Sequence, residues 1–200
     1  MAKQKKGKVI NILFLIVISL MLFYIAVNSF FPDQSIDYLG FKSYVVISPS
    51  MEPDINVNDL IVVVKVKQED LEVDDIISFY TYLPTNQIDE FGDTVYLKSV
   101  VTHYLAAIND DGSDITYKTH RAGVADDAYD DWNDIHGNPI DLNFDDIIGR
   151  VSFTVPKVGV VLKVFTNPIM VVLIVVNISI IVAVVKVTKK ALSTTEGEEK

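Results

Sequence analysis

Tyr44-Val45-Val46-Ile47-Ser48-Pro49-Ser50-Met51-Glu52-Pro53 carries a β-like run into a polar hexapeptide, and Leu60-Ile61-Val62-Val63-Val64 resumes the run after one more turn. β-Branched residues on both sides predict two strands joined by the hexapeptide. Ser-x-Ser-Met-x-Pro is a narrower pattern than a turn requires. It also comes soon after a membrane-length apolar segment. The pattern points to a serine nucleophile, Ser50, presented beside a bilayer.

The apolar segment is Val9 to Phe31, 23 residues without a charge. At 1.5 Å per residue it crosses a ~30 Å hydrocarbon core. Lys3, Lys5, Lys6 and Lys8 precede it and mark residues 1–8 as a cytoplasmic terminus. A cleavable leader is the competing reading, but its apolar core would run ~7–15 residues. Ala26-Val27-Asn28 is also a poor cleavage site, so an uncleaved anchor is expected. Pro168 to Val185 is a second apolar run, of 18 residues, followed by Lys186, Lys189 and Lys190. The two charge patterns agree on both termini inside, with residues 32–165 outside and 186–200 a cytoplasmic tail whose end, Ser193 to Lys200, is polar and expected to be mobile. Asn177 and Ser179 can hydrogen-bond within the second helix or across to the first.

Composition supports this division. The chain has 200 residues, half of them hydrophobic, and no cysteine, so disulfides, thiolate catalysis and cysteine zinc sites are excluded. Its formal charge of −10 is unevenly spread: Pro32 to Pro156 holds 24 acidic and 7 basic residues, a net −17. An acidic middle argues against nucleic acid and against lying flat on anionic lipid. That middle predicts strands at Phe41–Ile47, Leu60–Val66, Ile76–Leu83, Thr94–Ile108, Ile115–Thr119 and Asp145–Phe153. Pro84–Asp93 is expected as a loop, and Ala122–Phe144 as an irregular acidic stretch with the one tryptophan, Trp132. Val155 to Phe165 is expected as an amphipathic segment at the bilayer surface. No internal repeat is visible. Many short strands without a long amphipathic helix indicate a mainly β, barrel-like domain.

A serine hydroxyl needs a neighbour to take its proton. The chain has three histidines: His103 on a strand, His120 at the end of the next, and His136 in an acidic loop where solvation explains it. The third role belongs to a carboxylate that orients the imidazole and stabilises its charged form. Asp126, Asp127, Asp130 and Asp131 are candidates. The oxyanion needs preorganised donors. The Ser50 backbone N–H is one, Pro49 has none to give, and the Ser48 hydroxyl is the natural second.

These residues resemble a type I signal peptidase of the endoplasmic-reticulum, archaeal and Gram-positive branch, the Ser–His type. The likeness rests on Ser48-Pro49-Ser50-Met51-Glu52-Pro53 with Asn58-Asp59, on Asp74-Asp75-Ile76-Ile77-Ser78-Phe79, on Val101-Thr102-His103-Tyr104 and on Ile147-Ile148-Gly149-Arg150-Val151, in order between about residues 40 and 160. It implies a signal-peptidase-like barrel flanked by two transmembrane helices, with Ser50 as nucleophile and His103 as base. The acid box departs: Arg121 or Ala122 falls where the family's first aspartate stands. Asp126-Asp127 matches the later pair and makes Asp127 the implied acid, with Asp130 or Asp131 next if the alignment slips. The other bacterial branch suggests a Ser50–Lys98 dyad instead. Lys98 lies five residues before His103, so one regular strand turns the two to opposite faces.

The implied activity is removal of N-terminal signal peptides from preproteins emerging from the translocase at the cell membrane, without metal or cofactor. The substrate would lie extended between walls at Tyr44–Ile47 and Ile76–Tyr82. A membrane-tethered binding module that kept this fold and lost catalysis is the alternative of another class.

Overall fold

The computed structural model describes residues 2–112, 114–125 and 128–198, which fall into two units divided after Pro156. In the first unit, helix α1 (Ala2–Phe30) leads through a short α2 (Ser35–Leu39) into the sheet. The strands are β1 (Phe41–Val45), β2 (Leu60–Val64), β3 (Ile76–Ile88), β4 (Thr94–Asp110), β5 (Ile115–His120), β6 (Trp132–Asn133), β7 (Pro139–Ile140) and β8 (Ile147–Val155). The second unit holds α3 (Val158–Thr166) and α4 (Pro168–Glu198).

All described pairings are antiparallel, in the order β1-β2-β8-β3-β4-β5, with β6 beside β3 and β7 beside β6. The mainly β expectation holds, but this sheet is not closed: β1 and β5 end the path. Pro84–Asp93 is not the loop expected, because the β3–β4 ladder runs on to Ile88 opposite Thr94. Past Tyr82, where β6 pairs, the arm is held to β4 alone, and such an edge tolerates Pro84 without an N–H. The stretch read as irregular contains β6 and β7, each two residues long and too short to leave a period.

Alternation along β3 and β4 feeds two cores. Ile77, Phe79 and Leu105 join Leu71, Tyr117, Trp132 and Leu142 in one. Ile36, Met51, Ile55, Ile61, Val63 and Ile148 form the other, with Ile76, Tyr80 and Tyr104 against it.

Three strands are entered by the same turn. Asn56-Val57-Asn58-Asp59 precedes β2, Glu72-Val73-Asp74-Asp75 precedes β3 and Asn143-Phe144-Asp145-Asp146 precedes β8. In each, the last aspartate accepts from the backbone N–H three residues back, at 2.9, 3.0 and 2.9 Å. The same aspartate's N–H returns a bond to that residue's carbonyl, at 3.0, 3.1 and 3.1 Å. This is a short internal repeat that the sequence reading lacks. Asn58 and Asp74, the third residues of the first two turns, are both left-handed, with φ of 72° and 74°.

Among the described residues, two helices are long and apolar enough to cross a membrane: Ile10–Phe30, with mean hydropathy 2.8, and Pro168–Thr188, with 3.0. Both helices run past the expected spans, α1 starting at Ala2 and α4 continuing to Glu198 where a mobile tail was expected. Asn167 caps α4, its Oδ1 accepting from Ile169 and Met170 N–H at 3.0 and 3.3 Å, and Pro168 takes the first helical position. The segment expected at 155–165 divides between the end of β8 and α3. Asn177 and Ser179 bond back to Leu173 and Val175 carbonyls in their own helix, both at 2.8 Å.

Candidate active site

The Ser50 turn is held from below and from both ends. Met51 and Ile55 are each 2% exposed and pin it into the second core. Its base is closed by Val46 N–H to the Asp59 carbonyl at 2.9 Å and Asn58 N–H to the Val46 carbonyl at 2.8 Å. The Ser50 carbonyl accepts from Ala122 N–H at 3.1 Å, just past β5. Tyr104 of β4 donates its hydroxyl to Asp54 Oδ2 at 3.0 Å. Ser48 and Ser50 Oγ lie 3.3 Å apart, within hydrogen-bond reach.

Beside this turn is a cleft of about 390 Å³, lined by Tyr44–Ser48, Ser50, Met51, Ile55, Ile61, Leu83 and Ser99–Thr102. One wall is the expected β1 segment. The other is Ser99–Thr102 of β4, not Ile76–Tyr82 of β3. β1 and β4 are first and fifth in the sheet order, so the sheet curls to bring both to one cleft although its ends stay unpaired.

His103 follows Thr102 on β4, pairs with Ile77 in the ladder and is 4% exposed. Its ring packs against Phe79 and Trp132, at centroid distances of 6.5 and 5.5 Å. Nδ1 lies 2.7 Å from Asp130 Oδ2. A carboxylate there selects the Nδ1–H form in the neutral ring and leaves Nε2 as the basic nitrogen. Thr119 donates its hydroxyl to the same Oδ2 at 3.0 Å, Trp132 Nε1–H donates to Thr119 Oγ1 at 2.9 Å, and Asp130 N–H donates to the Thr119 carbonyl at 2.8 Å. Arg121 Nε is 3.6 Å from Asp130 Oδ1.

Burial is the largest influence on the Asp130 carboxyl and works to raise it. The His103 hydrogen bond and charge, the Thr119 hydroxyl and the Arg121 guanidinium together overturn that and hold it below its ordinary range.

Among the described residues the carboxylate bonded to His103 is Asp130, the residue that the slipped alignment reaches. Asp126 and Asp127 lie outside the described residues. Asp131 is exposed. Thr119 and Trp132 are neighbours of the His103–Asp130 pair that the sequence reading missed. The one signal for them is the lone tryptophan directly after Asp130-Asp131.

Ser50 Oγ is bonded to Ser48, and among the described residues no hydrogen bond joins it to His103. Lys98 is exposed, with Nζ 4.0 Å above the Tyr80 ring, and it does not line the cleft. His120 stacks on Tyr104 at 5.3 Å with Nδ1 at the Arg121 carbonyl, and His136 is exposed as expected. The described residues contain no cluster of three metal-ligating side chains. No family model matches the chain, and none of the curated proteins searched matches it either.

Proposed function

We propose that this chain is a membrane-bound serine endopeptidase that removes N-terminal signal peptides from exported preproteins, with Ser50 as nucleophile, His103 as base and Asp130 as the acid behind it. The observation that carries the reading is the buried His103 Nδ1–Asp130 contact of 2.7 Å, one residue along β4 from a cleft that Ser50 lines. Acyl transfer needs a base oriented by a carboxylate and a serine within its reach, and the His103–Asp130 pair supplies the first of these beside the strand segment that lines the Ser50 cleft.

Ser50 Oγ attacks the scissile carbonyl carbon as His103 Nε2 takes the hydroxyl proton. The Ser48 hydroxyl and the Ser50 N–H donate to the tetrahedral oxyanion. The C–N bond then breaks, and His103 passes its proton to the leaving amine, the new N-terminus of the mature protein. Water, deprotonated by the same nitrogen, attacks the Ser50 ester and frees the signal peptide as a carboxylic acid. Before attack, the Ser50 hydroxyl exchanges its Ser48 partner for Nε2. Catalytic contacts of this kind are often long without substrate and tighten when it binds. In this reading, supported by the flanking lysines, both termini lie in the cytoplasm, the sheet on the other side, and the two apolar helices in the bilayer. The finer barrel-like relation to signal peptidases belongs to this same proposal.

The Ser50–Lys98 dyad is disfavoured by the Lys98 side chain's place over Tyr80. A non-catalytic tethered module is favoured by one observation, the Ser50 hydroxyl bonded to Ser48. A membrane-bound precursor processed by wild type, Ser50→Ala, His103→Ala and Lys98→Met separates the three. Loss in the first two variants, with Lys98→Met active, supports the proposal. Processing that survives Ser50→Ala refutes it.

A further inference from the structure

Of the seven cations between Pro32 and Pro156, five are ion-paired: Lys65 to Asp37, Lys67 to Glu69, Lys118 to Asp141, Arg121 to Asp130 and Arg150 to Asp75. Lys42 and Lys98 make no ion pair among the described residues. Each is seated on a tyrosine instead, Lys42 Nζ 5.3 Å from the Tyr44 centroid and Lys98 Nζ 4.0 Å from that of Tyr80. The two rings pack into the same core. Burial lowers the Lys42 ammonium from its ordinary value, Asp33 works against this, and the charge of Lys98 adds to the lowering. Two lysines without an ion pair among the described residues thus lie over two rings of one core, in a region of net charge −17.

Their position is tied to the end of a membrane-length helix. On either side of Lys42, Phe41 stacks on Tyr24 at 5.6 Å and Ser43 Oγ lies 2.7 Å from the Tyr24 hydroxyl. Tyr24 is six residues before the end of α1 at Phe30. Lys42 Nζ itself donates to the carbonyl of Pro32, two residues past that end. Tyrosines and lysines at the mouth of an apolar helix mark the headgroup layer.

We infer that Lys42 and Lys98 form an anion site for the phosphate of an anionic phospholipid in the leaflet where α1 emerges, seating the cleft against the membrane. The inference rests on the membrane placement proposed above, not on the catalytic roles. Repulsion between the ammonium groups is relieved by one phosphate between them. Asp33 also faces the site, where it accepts from the Tyr80 hydroxyl at 3.3 Å and offsets part of the positive charge at Lys42. A carboxylate of the substrate is the other anion this chemistry could hold. Anchoring of Lys42 to the helix end through the Pro32 carbonyl favours the lipid.

The full chain is reconstituted in nanodiscs of phosphatidylcholine with a minor fraction of phosphatidylglycerol, and the lipids retained on release are counted by native mass spectrometry. Wild type should retain phosphatidylglycerol in preference to phosphatidylcholine. Lys42→Gln/Lys98→Gln should weaken that preference by on the order of fivefold per lysine. Lys42→Arg/Lys98→Arg should keep it, as should Lys67→Gln/Lys118→Gln, which removes the same charge from paired lysines. The terminal lysines contribute equally in every sample. Equal retention by wild type and Lys42→Gln/Lys98→Gln overturns the inference. So does unchanged retention with a loss confined to precursors bearing an acidic residue near the cut, which assigns the site to substrate. Ser50→Ala should retain lipid as wild type does, so failure of the peptidase assignment reads separately.

Discussion

His103 Nδ1 and Asp130 Oδ2 lie 2.7 Å apart, with both side chains 5% exposed. A buried carboxylate so placed needs further donors, because unsatisfied charge in the interior is strongly destabilising. Thr119 and Arg121 supply them, and Trp132 closes the far side of the ring. The fold thus spends a strand, a strand end and the stretch after it on the orientation of one imidazole. That expense is unexplained if His103 were a core filler, and it follows directly if Nε2 has a proton to take.

Asp130→Asn tests the orientation. An amide can accept from Nδ1–H only through its oxygen, and its NH2 group can instead select the wrong tautomer. The expected loss in processing rate is ~10²–10⁴-fold, with the precursor still bound. Asp127→Asn and Asp131→Asn should remain within a few-fold of wild type. A single-turnover assay on one precursor compares all three. Activity of Asp130→Asn close to wild type would remove Asp130 from the mechanism.

The same carboxyl gives acid stability a direction. In the fold it is held below its ordinary value of 3.8. The unfolded chain therefore binds this proton more readily. The stabilisation from Asp130 is complete above the ordinary value and is lost as pH falls through the lower folded value. The urea midpoint of wild type should exceed that of Asp130→Asn at pH 7, and the gap should close below about pH 4. Trp132, the lone tryptophan, reports the transition by fluorescence. A gap that widens in acid would reverse the assigned sign.

The strands around Ser50 were legible because β-branched runs and the Ser-x-Ser-Met-x-Pro spacing are local signals. His103 was legible through the resemblance of Val101-Thr102-His103-Tyr104, since of the other two histidines only His136 had a plainer explanation. The acid was not, since Asp130 reaches His103 across 27 residues and sits among three other aspartates. Only tertiary packing through Thr119 and Trp132 chooses between them. The three entry turns were legible and went unread, because a four-residue repeat at irregular spacing has no period. The length of β3 was hidden by Pro84, which ends a central strand and is tolerated on an arm with a free edge. Closure of the sheet is a global property that strand count alone does not determine.

Thr119→Val should separate support from chemistry. The valine matches the shape but removes a hydroxyl that donates to Asp130 at 3.0 Å and accepts from Trp132 at 2.9 Å. Two buried groups lose a partner, for about 1–3 kcal/mol. Thermal unfolding should shift down accordingly. The processing rate should fall by less than in Asp130→Asn, because the His103–Asp130 contact survives. A rate loss equal to that of Asp130→Asn would make Thr119 part of the proton path.

Two positions of the resembled pattern should respond in opposite ways to gaining or losing a side chain. A Cβ on Gly149 would lie 2.1 Å from the Val64 carbonyl oxygen, which is backbone and cannot turn aside. Gly149→Ala should break the β2–β8 contact and cost at least about 3 kcal/mol. At Asp74 the left-handed φ of 74° already strains a residue with a Cβ. Asp74→Gly should be neutral or stabilising by up to about 1 kcal/mol, because glycine adopts that region freely. Asp74→Val, β-branched in the same conformation, should lose about 1–2 kcal/mol. The turn also clamps β4, with Asp74 N–H to the Leu105 carbonyl at 2.8 Å and Leu105 N–H to the Asp75 carbonyl at 2.7 Å, two residues beyond His103. Asp74→Val should therefore lower processing as well as stability, whereas Asp74→Gly leaves both intact. Urea denaturation with the precursor assay on all three variants decides it. Stability lost on Asp74→Gly would mean that the aspartate side chain, and not the backbone, holds the turn.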